Sequence, residues 1–146
     1  MRLLIQRVSG GKVLIEGATH AEIGRGLVLL VGVEKSDTPA TIDAMVRKVA
    51  GLRIFDDPSG KTNLSNEDVG GDYLAVSQFT LCADLSKGKR PGFENAMKPP
   101  ASKELFDSFC AGLGSATGRP VKTGVFGASM RVEIHNDGPA TYWLAN

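Results

Sequence analysis

The sequence predicts an α/β domain in which two helices lie on one side of a largely stranded body. Three observations carry that prediction. The apolar runs Leu27–Val33 and Tyr73–Leu81 lack the alternation of a half-exposed strand and are too short for buried helices, so they read as strands covered on both faces. Two other segments repeat apolar residues three and four apart, the spacing of one helical stripe. Finally, 18 glycines in 146 residues supply the turns that many short strands need. No linker, repeat or low-complexity tract divides the chain, so residues 1–146 are expected to form a single domain.

In chain order, Leu3-Leu4-Ile5 and Val13-Leu14-Ile15 flank Ser9-Gly10-Gly11-Lys12, which predicts a hairpin. A turn at Gly17-Ala18-Thr19 leads to a short strand at His20–Ile23, and Gly24-Arg25-Gly26 opens the Leu27–Val33 strand. Thr38 suits a helix cap and Pro39 the first helical position. Ile42, Met45, Val46 and Val49 form the stripe of that helix, and Gly51 ends it. Arg53-Ile54-Phe55 runs into a tight turn at Asp56-Asp57-Pro58-Ser59-Gly60. Residues 61–71 are polar and predict a loop with one short extended stretch. After the Tyr73–Leu81 strand, a long connection from Ala83 to Lys98 reaches the second helix near Pro99-Pro100. Ser102 is its expected cap, Leu105, Phe106, Phe109, Cys110 and Leu113 its stripe, and Gly112 and Gly114 its end. Strands follow at Val121–Phe126 and Ser129–His135, then a turn at Asn136-Asp137-Gly138-Pro139 and a final strand at Thr141–Leu144.

Composition narrows the chemistry. Lys plus Arg number 17 against 16 Asp plus Glu, a net charge of +1, which excludes nucleic-acid binding by bulk basicity but leaves room for a local patch. Cys82 and Cys110 sit in ordinary apolar stretches, which argues against a thiolate cluster or disulfide scaffold and suits a reducing cytosol. No HExxH, CxxC, EF-hand, GxGxxG or GxxxxGK pattern occurs, so neither a metal nor a cofactor is expected. The N-terminus turns polar too early for a signal peptide, and the longest apolar run is far short of a membrane span. A cytoplasmic protein with no membrane partner is expected. His20 and His135 lie in strand-like stretches and read as surface residues.

Ser77, Gln78 and Thr80 interrupt an otherwise apolar strand. Buried polar groups need partners, so these residues either bond within the fold or line a pocket at the strand end. A Thr80 hydroxyl beside backbone amides can orient a polarised carbonyl, whereas Thr is a poor nucleophile without a base. The following loop carries Lys87, Lys89, Arg90 and Lys98 against Asp84 and Glu94, a phosphate-facing segment or a solvated one. In Asn136-Asp137-Gly138-Pro139, Gly before Pro permits a backbone geometry closed to other residues and leaves its carbonyls unshielded.

At Ser77-Gln78-Phe79-Thr80-Leu81 and Asn136-Asp137-Gly138-Pro139-Ala140-Thr141 the sequence closely resembles the D-aminoacyl-tRNA deacylases of the bacterial and eukaryotic type. The likeness spans essentially the whole chain, through Leu4-Ile5-Gln6-Arg7-Val8, Gly26–Lys35, Arg53-Ile54-Phe55, Arg90-Pro91-Gly92-Phe93 and Trp143-Leu144. Cys82 follows the first motif where small Ala is common, which places a thiol near the pocket.

The resemblance implies β/β/α layers, with mixed sheets forming a partly closed barrel-like core. It also implies a homodimer with an active site at each interface, and a carboxylic ester hydrolase that needs no cofactor. The expected reaction frees the amino acid from D-aminoacyl-tRNA, and from glycyl-tRNA mischarged on tRNA-Ala. Ser77, Gln78 and Thr80 are the implied catalytic segment, and Phe79, Leu81, Phe93, Gly138 and Pro139 the substrate-binding set. A cis Gly138-Pro139 peptide would enter the partner's pocket and leave no space for an L side chain, with Arg7 supporting its loop. Lys87, Lys89 and Arg90 are the implied tRNA phosphate contacts. The partner is charged tRNA through its 3′-aminoacyl-adenosine end, with DNA left open. Water attack assisted by the ribose 2′-hydroxyl is the favoured mechanism, and a covalent Thr80 nucleophile the second. An enzyme serving many D-amino acids must test chirality at the α-carbon, and a clash there rejects more firmly than a lost contact.

Overall fold

The computed structural model describes residues 1–86 and 88–146. Its strands are β1 (Arg2–Ile15), β2 (Ala18–Ile23), β3 (Gly26–Gly32), β4 (Arg53–Asp56), β5 (Thr62–Ser65), β6 (Asp72–Ser77), β7 (Val121–Thr123) and β8 (Arg131–Ala145). The helices are α1 (Pro39–Ala50) and α2 (Ala101–Thr117), and a 3₁₀ turn covers Phe79–Cys82. The main sheet runs β2-β1-β3-β6-β7, with β8 on β1, while β4 and β5 pair apart. β3–β6 and β6–β7 are parallel and the remaining pairs antiparallel, so the sheet is mixed.

β1 folds this sheet into a barrel-like core. Its first half pairs with β3 and its second half with β2, while β8 follows it along both halves. Alternation along β3 and β6 then divides the interior in two. Leu27, Leu29, Val31, Tyr73 and Ala75 face the helices, against Ile42, Met45, Val49, Phe106, Phe109 and Leu113. Val28, Leu74 and Val76 point the other way, to Val8, Val13 and Ile23 inside the barrel. This is why both runs lack a polar face.

α1 begins as its sequence predicts. The Thr38 hydroxyl accepts from the Thr41 N–H, Thr41 reciprocates at the Thr38 N–H, and Pro39 opens the first turn. α2 differs at both ends. Pro100 holds the cap position without a side-chain bond, and Ser102 is buried inside the first turn. The helix continues past Gly112 and Gly114 to Thr117, and Gly118 ends it in the left-handed region at φ 67°. Close approach explains the two interior glycines: a Cβ on Gly112 would lie 3.2 Å from Val46 Cγ2, and one on Gly114 3.3 Å from the Arg119 carbonyl.

Three other elements depart from expectation. Ser9–Lys12 forms no hairpin: β1 stays one strand and pairs with β8 on both sides of Ser9, with a register shift between Val8 and Gly10. Gly11 serves packing inside the barrel, where a Cβ would come within 2.8 Å of Val28 Cγ2. Asn136–Pro139 likewise separates no strands: β8 runs through, with Asp137–Ala140 as a bulge between the pairs Val8–Asn136 and Gln6–Thr141. The strand expected to reach Leu81 stops at Ser77, and that of Val121–Phe126 stops at Thr123. Among the described residues no helix is long and apolar enough to cross a membrane.

Candidate active site

The parallel strands β3 and β6 end together, and their ends open a cleft. Ser77 is the last paired residue, opposite Val31, and the Gln78 N–H still donates to the Val31 carbonyl at 2.7 Å. The backbone then leaves strand geometry at Gln78 (φ −143°, ψ 81°) and enters the 3₁₀ turn. That turn lies directly on Gly32. A Cβ there would sit 2.9 Å from Cys82 Sγ and 3.0 Å from the Gln78 carbonyl oxygen, so only glycine admits it. From β1, Arg2 donates to the Leu81 carbonyl at 3.1 Å and pairs with Glu34 at 2.9 Å. The Gln78 side-chain amide bonds the Thr80 hydroxyl.

Both readings of the polar interruption therefore apply, and Gln78 takes part in each. Gln78 and Thr80 satisfy one another, while Ser77, Gln78 and Phe79 line the cleft. Phe93 lines it too, its ring 5.0 Å from that of Phe79 at 58°. Thr80 and Leu81 stand outside the lining. A strap over residues 93–98 forms one wall, fixed where Met97 N–H donates to the Val33 carbonyl at 3.0 Å and Lys35 N–H to the Asn95 carbonyl at 2.9 Å. The opposite wall is Phe126, Met130 and Val132, and the start of α2 contributes Lys98, Pro99 and Ser102. The space enclosed is about 600 Å³, within the range of small-ligand sites.

The lining is apolar apart from hydroxyls, one side-chain amide and Lys98, with no Asp, Glu or His among the described residues. Such a site holds and orients; it offers no side-chain general base. Phe79 and Thr80 open the 3₁₀ turn, so their N–H groups have no carbonyl partner within it. Cys82 is buried behind the turn and its thiol is pushed up by that burial and by Glu34, which keeps it protonated and unreactive.

Beyond the turn, Asp84 and Gly92 exchange backbone bonds of 2.8 and 2.9 Å and close the intervening loop. Lys89 and Arg90 are exposed on it, and Lys87 lies outside the described residues. Arg90 shares a shallow depression with Asp84 and Glu94, which offset its charge. Among the described residues, the cation that lines the cleft is instead Lys98. Neither its place nor that of Ser102, Met97, Phe126 and Met130 was legible in the sequence. Only the strap and the barrel rim bring these residues together.

Gly138 and Pro139 lie elsewhere. Their peptide is cis, Gly138 has φ 124°, and both residues are exposed. Arg7 holds the bulge, donating from Nε to the Asp137 carbonyl at 3.2 Å and from Nη1 to the Ile54 carbonyl at 2.9 Å. Asp56 and Asp137 carboxylates stand 3.6 Å from the same guanidinium. Asn136 closes the base of the bulge with bonds of 3.0 Å to the Arg7 and Ala140 carbonyls. Arg7 pairs with Leu27 and Ser77 with Val31, so the two segments are separated by about 13 Å along β3 and about 14 Å across the sheet.

A family model described as D-Tyr-tRNA(Tyr) deacylase matches residues 4–145. A D-aminoacyl-tRNA deacylase of Chromobacterium violaceum is 54% identical over 144 residues, 99% of this chain and 96% of the relative. Its counterpart from Lactobacillus helveticus is 51% identical, with 99% of each chain covered. A solved structure described as c-Myc DNA Unwinding Element Binding Protein aligns with a TM-score of 0.95 at 40% identity, covering 100% of this chain and 99% of that one. A probable eukaryotic D-amino acid tRNA deacylase shares the fold at a TM-score of 0.83 and 20% identity, over 98% and 97% of the chains.

Proposed function

This chain belongs to the D-Tyr-tRNA(Tyr) deacylase family and hydrolyses D-aminoacyl-tRNA, and we propose that it does so as a homodimer in which each cleft is completed by the partner's Gly138-Pro139 bulge. The observation that carries the proposal is the separation of the two motifs. On one chain Gly138 and Pro139 do not line the cleft beside Ser77, yet they are exposed and their bulge is held by Arg7 and Asn136. Exposed Trp143 and Tyr142 next to it on β8 supply apolar area for a second copy.

In this reading the cleft takes the 3′-aminoacyl-adenosine end of charged tRNA. Ser77, Gln78 and the amides of Phe79 and Thr80 hold the ester carbonyl and ribose, and Phe79 and Phe93 flank them. Water attacks the ester carbon with help from the ribose 2′-hydroxyl. The bond to the 3′-oxygen breaks, that oxygen takes the proton, and free amino acid and tRNA leave. The ester is labile, so positioning and polarisation suffice without a side-chain base, and Thr80 acts by orienting Gln78. The Gly138 and Pro139 carbonyls face the α-carbon and exclude an L side chain. Glycine passes that test, which extends the reaction to glycyl-tRNA mischarged on tRNA-Ala. Lys89 and Arg90, together with Lys87, meet the acceptor-stem phosphates. A substrate of this kind places the work in the cytoplasm.

The similarity to a protein described as binding a DNA unwinding element favours a second, non-catalytic nucleic-acid reading. Release of D-Tyr, L-Tyr and Gly from tRNA by purified protein separates the two. Rapid loss of D-Tyr and Gly with L-Tyr retained is expected, and equal D and L rates would overturn the chiral test. Mixing a Gln78→Ala chain with a Gly138→Val chain checks the shared site: activity in the mixture, absent from each alone, is the expected result.

A further inference from the structure

We infer that Lys98 binds the phosphodiester on the 5′ side of the terminal nucleotide and thereby sets the direction in which the substrate enters; this rests on the reading that the cleft takes the 3′-aminoacyl-adenosine end. Among the described residues Lys98 is the one charged side chain in the lining, and it stands exposed on the strap. Other cations of the chain are already engaged. Arg2 pairs with Glu34 at 2.9 Å, Lys12 with Glu22 at 3.3 Å and Lys103 with Asp107 at 2.6 Å, while Arg7 stands between Asp56 and Asp137. No carboxylate among the described residues comes within ion-pair distance of Lys98. Glu94 and Glu104, the nearest acidic residues along the chain, are exposed and neither lines the cleft. Helix α2 begins three residues on, and its dipole adds positive potential at the same end.

The chemistry of the substrate selects the group. At an aminoacylated end the α-amino group is a cation, which a lysine repels, and the base, sugar hydroxyls and ester are neutral. The phosphodiester to the preceding nucleotide is the anion, so it is what a lone cation in an uncharged cleft attracts. The placement of the strap agrees. Gln78 N–H donates to the Val31 carbonyl and Met97 N–H to the Val33 carbonyl, so the turn and the strap are anchored two residues apart, about 7 Å along an extended chain. The 3′-ester and the 5′-phosphate of a nucleotide likewise stand on either side of one ribose. With the ester held at Ser77 and Gln78, the phosphate comes to the strap, and the flexible stem of Lys98 closes on it. The reverse orientation would bring the α-ammonium to Lys98, and like charge opposes it.

Two ligands that differ only in the phosphate test this: adenosine, and the 5′-methyl ester of AMP, which carries the single charge of a diester. In calorimetry at low salt the wild-type protein should bind the diester about 3–10-fold more tightly, the worth of one charge-assisted contact at an exposed site. Lys98→Gln should erase that preference and leave adenosine affinity unchanged, and Lys98→Arg should restore it. With D-Tyr-tRNA the Gln variant raises KM by the same factor at retained kcat. Its plot of log KM against log salt becomes shallower by about 0.7, one phosphate contact on a single strand. Hydrolysis of D-Tyr-adenosine, which has no phosphate, stays at the wild-type rate. Equal binding of adenosine and the diester by the wild type overturns the inference alone, and so does a preference that survives Lys98→Gln. A variant that weakens both ligands equally also overturns it, because Lys98 then acts on the nucleoside or on the fold. Failure of the wild type to bind either ligand overturns the inference together with the reading on which it rests.

Discussion

The Ser77–Cys82 turn ends β6, whereas the Asp137–Ala140 bulge only interrupts the pairing of β8, and the two are held in opposite ways. The turn is seated on the core. Its backbone rests on Gly32, Cys82 is buried beneath it, and Arg2 ties its end to β1. The bulge projects into solvent and is gripped from one side by Arg7 and Asn136. The turn's geometry follows from packing, so almost any disturbance reaches it through the sheet. The bulge's geometry follows from a few polar bonds to one guanidinium, so it can be released without unfolding the barrel. The turn and the bulge thereby rest on supports that fail independently.

That contrast can be broken at either end. The largest effect is expected from Gly32→Val, which drives a side chain into Cys82 and the Gln78 carbonyl. Overpacking there costs about 1–3 kcal/mol, and displacing the turn lowers kcat about 100-fold; kcat within about threefold of wild type would show the turn is not packing-held. Arg7→Ala should do the reverse. D-Tyr-tRNA turnover persists, discrimination against L-Tyr-tRNA falls about tenfold, and chemical denaturation reads a loss of about 1–2 kcal/mol for the bonds removed. Intact discrimination would detach the bulge from chirality.

Thr80→Ala sharpens the account of the turn itself. Orientation through Gln78 predicts a drop in kcat of less than about tenfold, whereas an obligatory covalent nucleophile predicts about 1,000-fold or more; single-turnover deacylation distinguishes them. The smallest effect lies in the helix layer, away from both segments. Burial, reinforced by Asp107, pushes the Cys110 thiol from 9.0 to about 12. Below pH 9 folded and unfolded chains both hold the proton and stability is unaffected. Between about 9 and 12 the unfolded chain releases it first, so stability falls as pH rises. Tm should decline between pH 9 and 10.5, and Cys110→Ala should flatten the decline while leaving D and L rates alone.

Much of this was legible in the chain. The unalternating runs of β3 and β6, the Thr38-Pro39 cap and the stripe of α1 all express local preferences that tertiary packing did not override. Ser77 and Gln78 stood out because polar residues in an apolar run need a reason. The errors have one cause. Gly11, Gly112 and Gly114 look like chain punctuation in sequence, yet each admits a neighbouring element at close range, and a glycine that permits contact has the same sequence appearance as one that permits a turn. Ser102 was mistaken for a cap on the same ground: a hydroxyl near a helix start does not reveal whether it faces the backbone or a cavity.

Sequence alone therefore determined the elements with a period, the two polar motifs and the family they resemble, because those depend on neighbours within a few residues. The tertiary structure decided that β1 and β8 run unbroken, and that the strap brings Met97 and Lys98, and the first turn of α2 brings Ser102, to the cleft. It also decided that the two motifs stand on different strands of one sheet, β6 and β8, with β3 and β1 between them. Those facts depend on register between strands more than a hundred residues apart in the chain, such as Gln6 with Thr141, and no local preference encodes such a pairing.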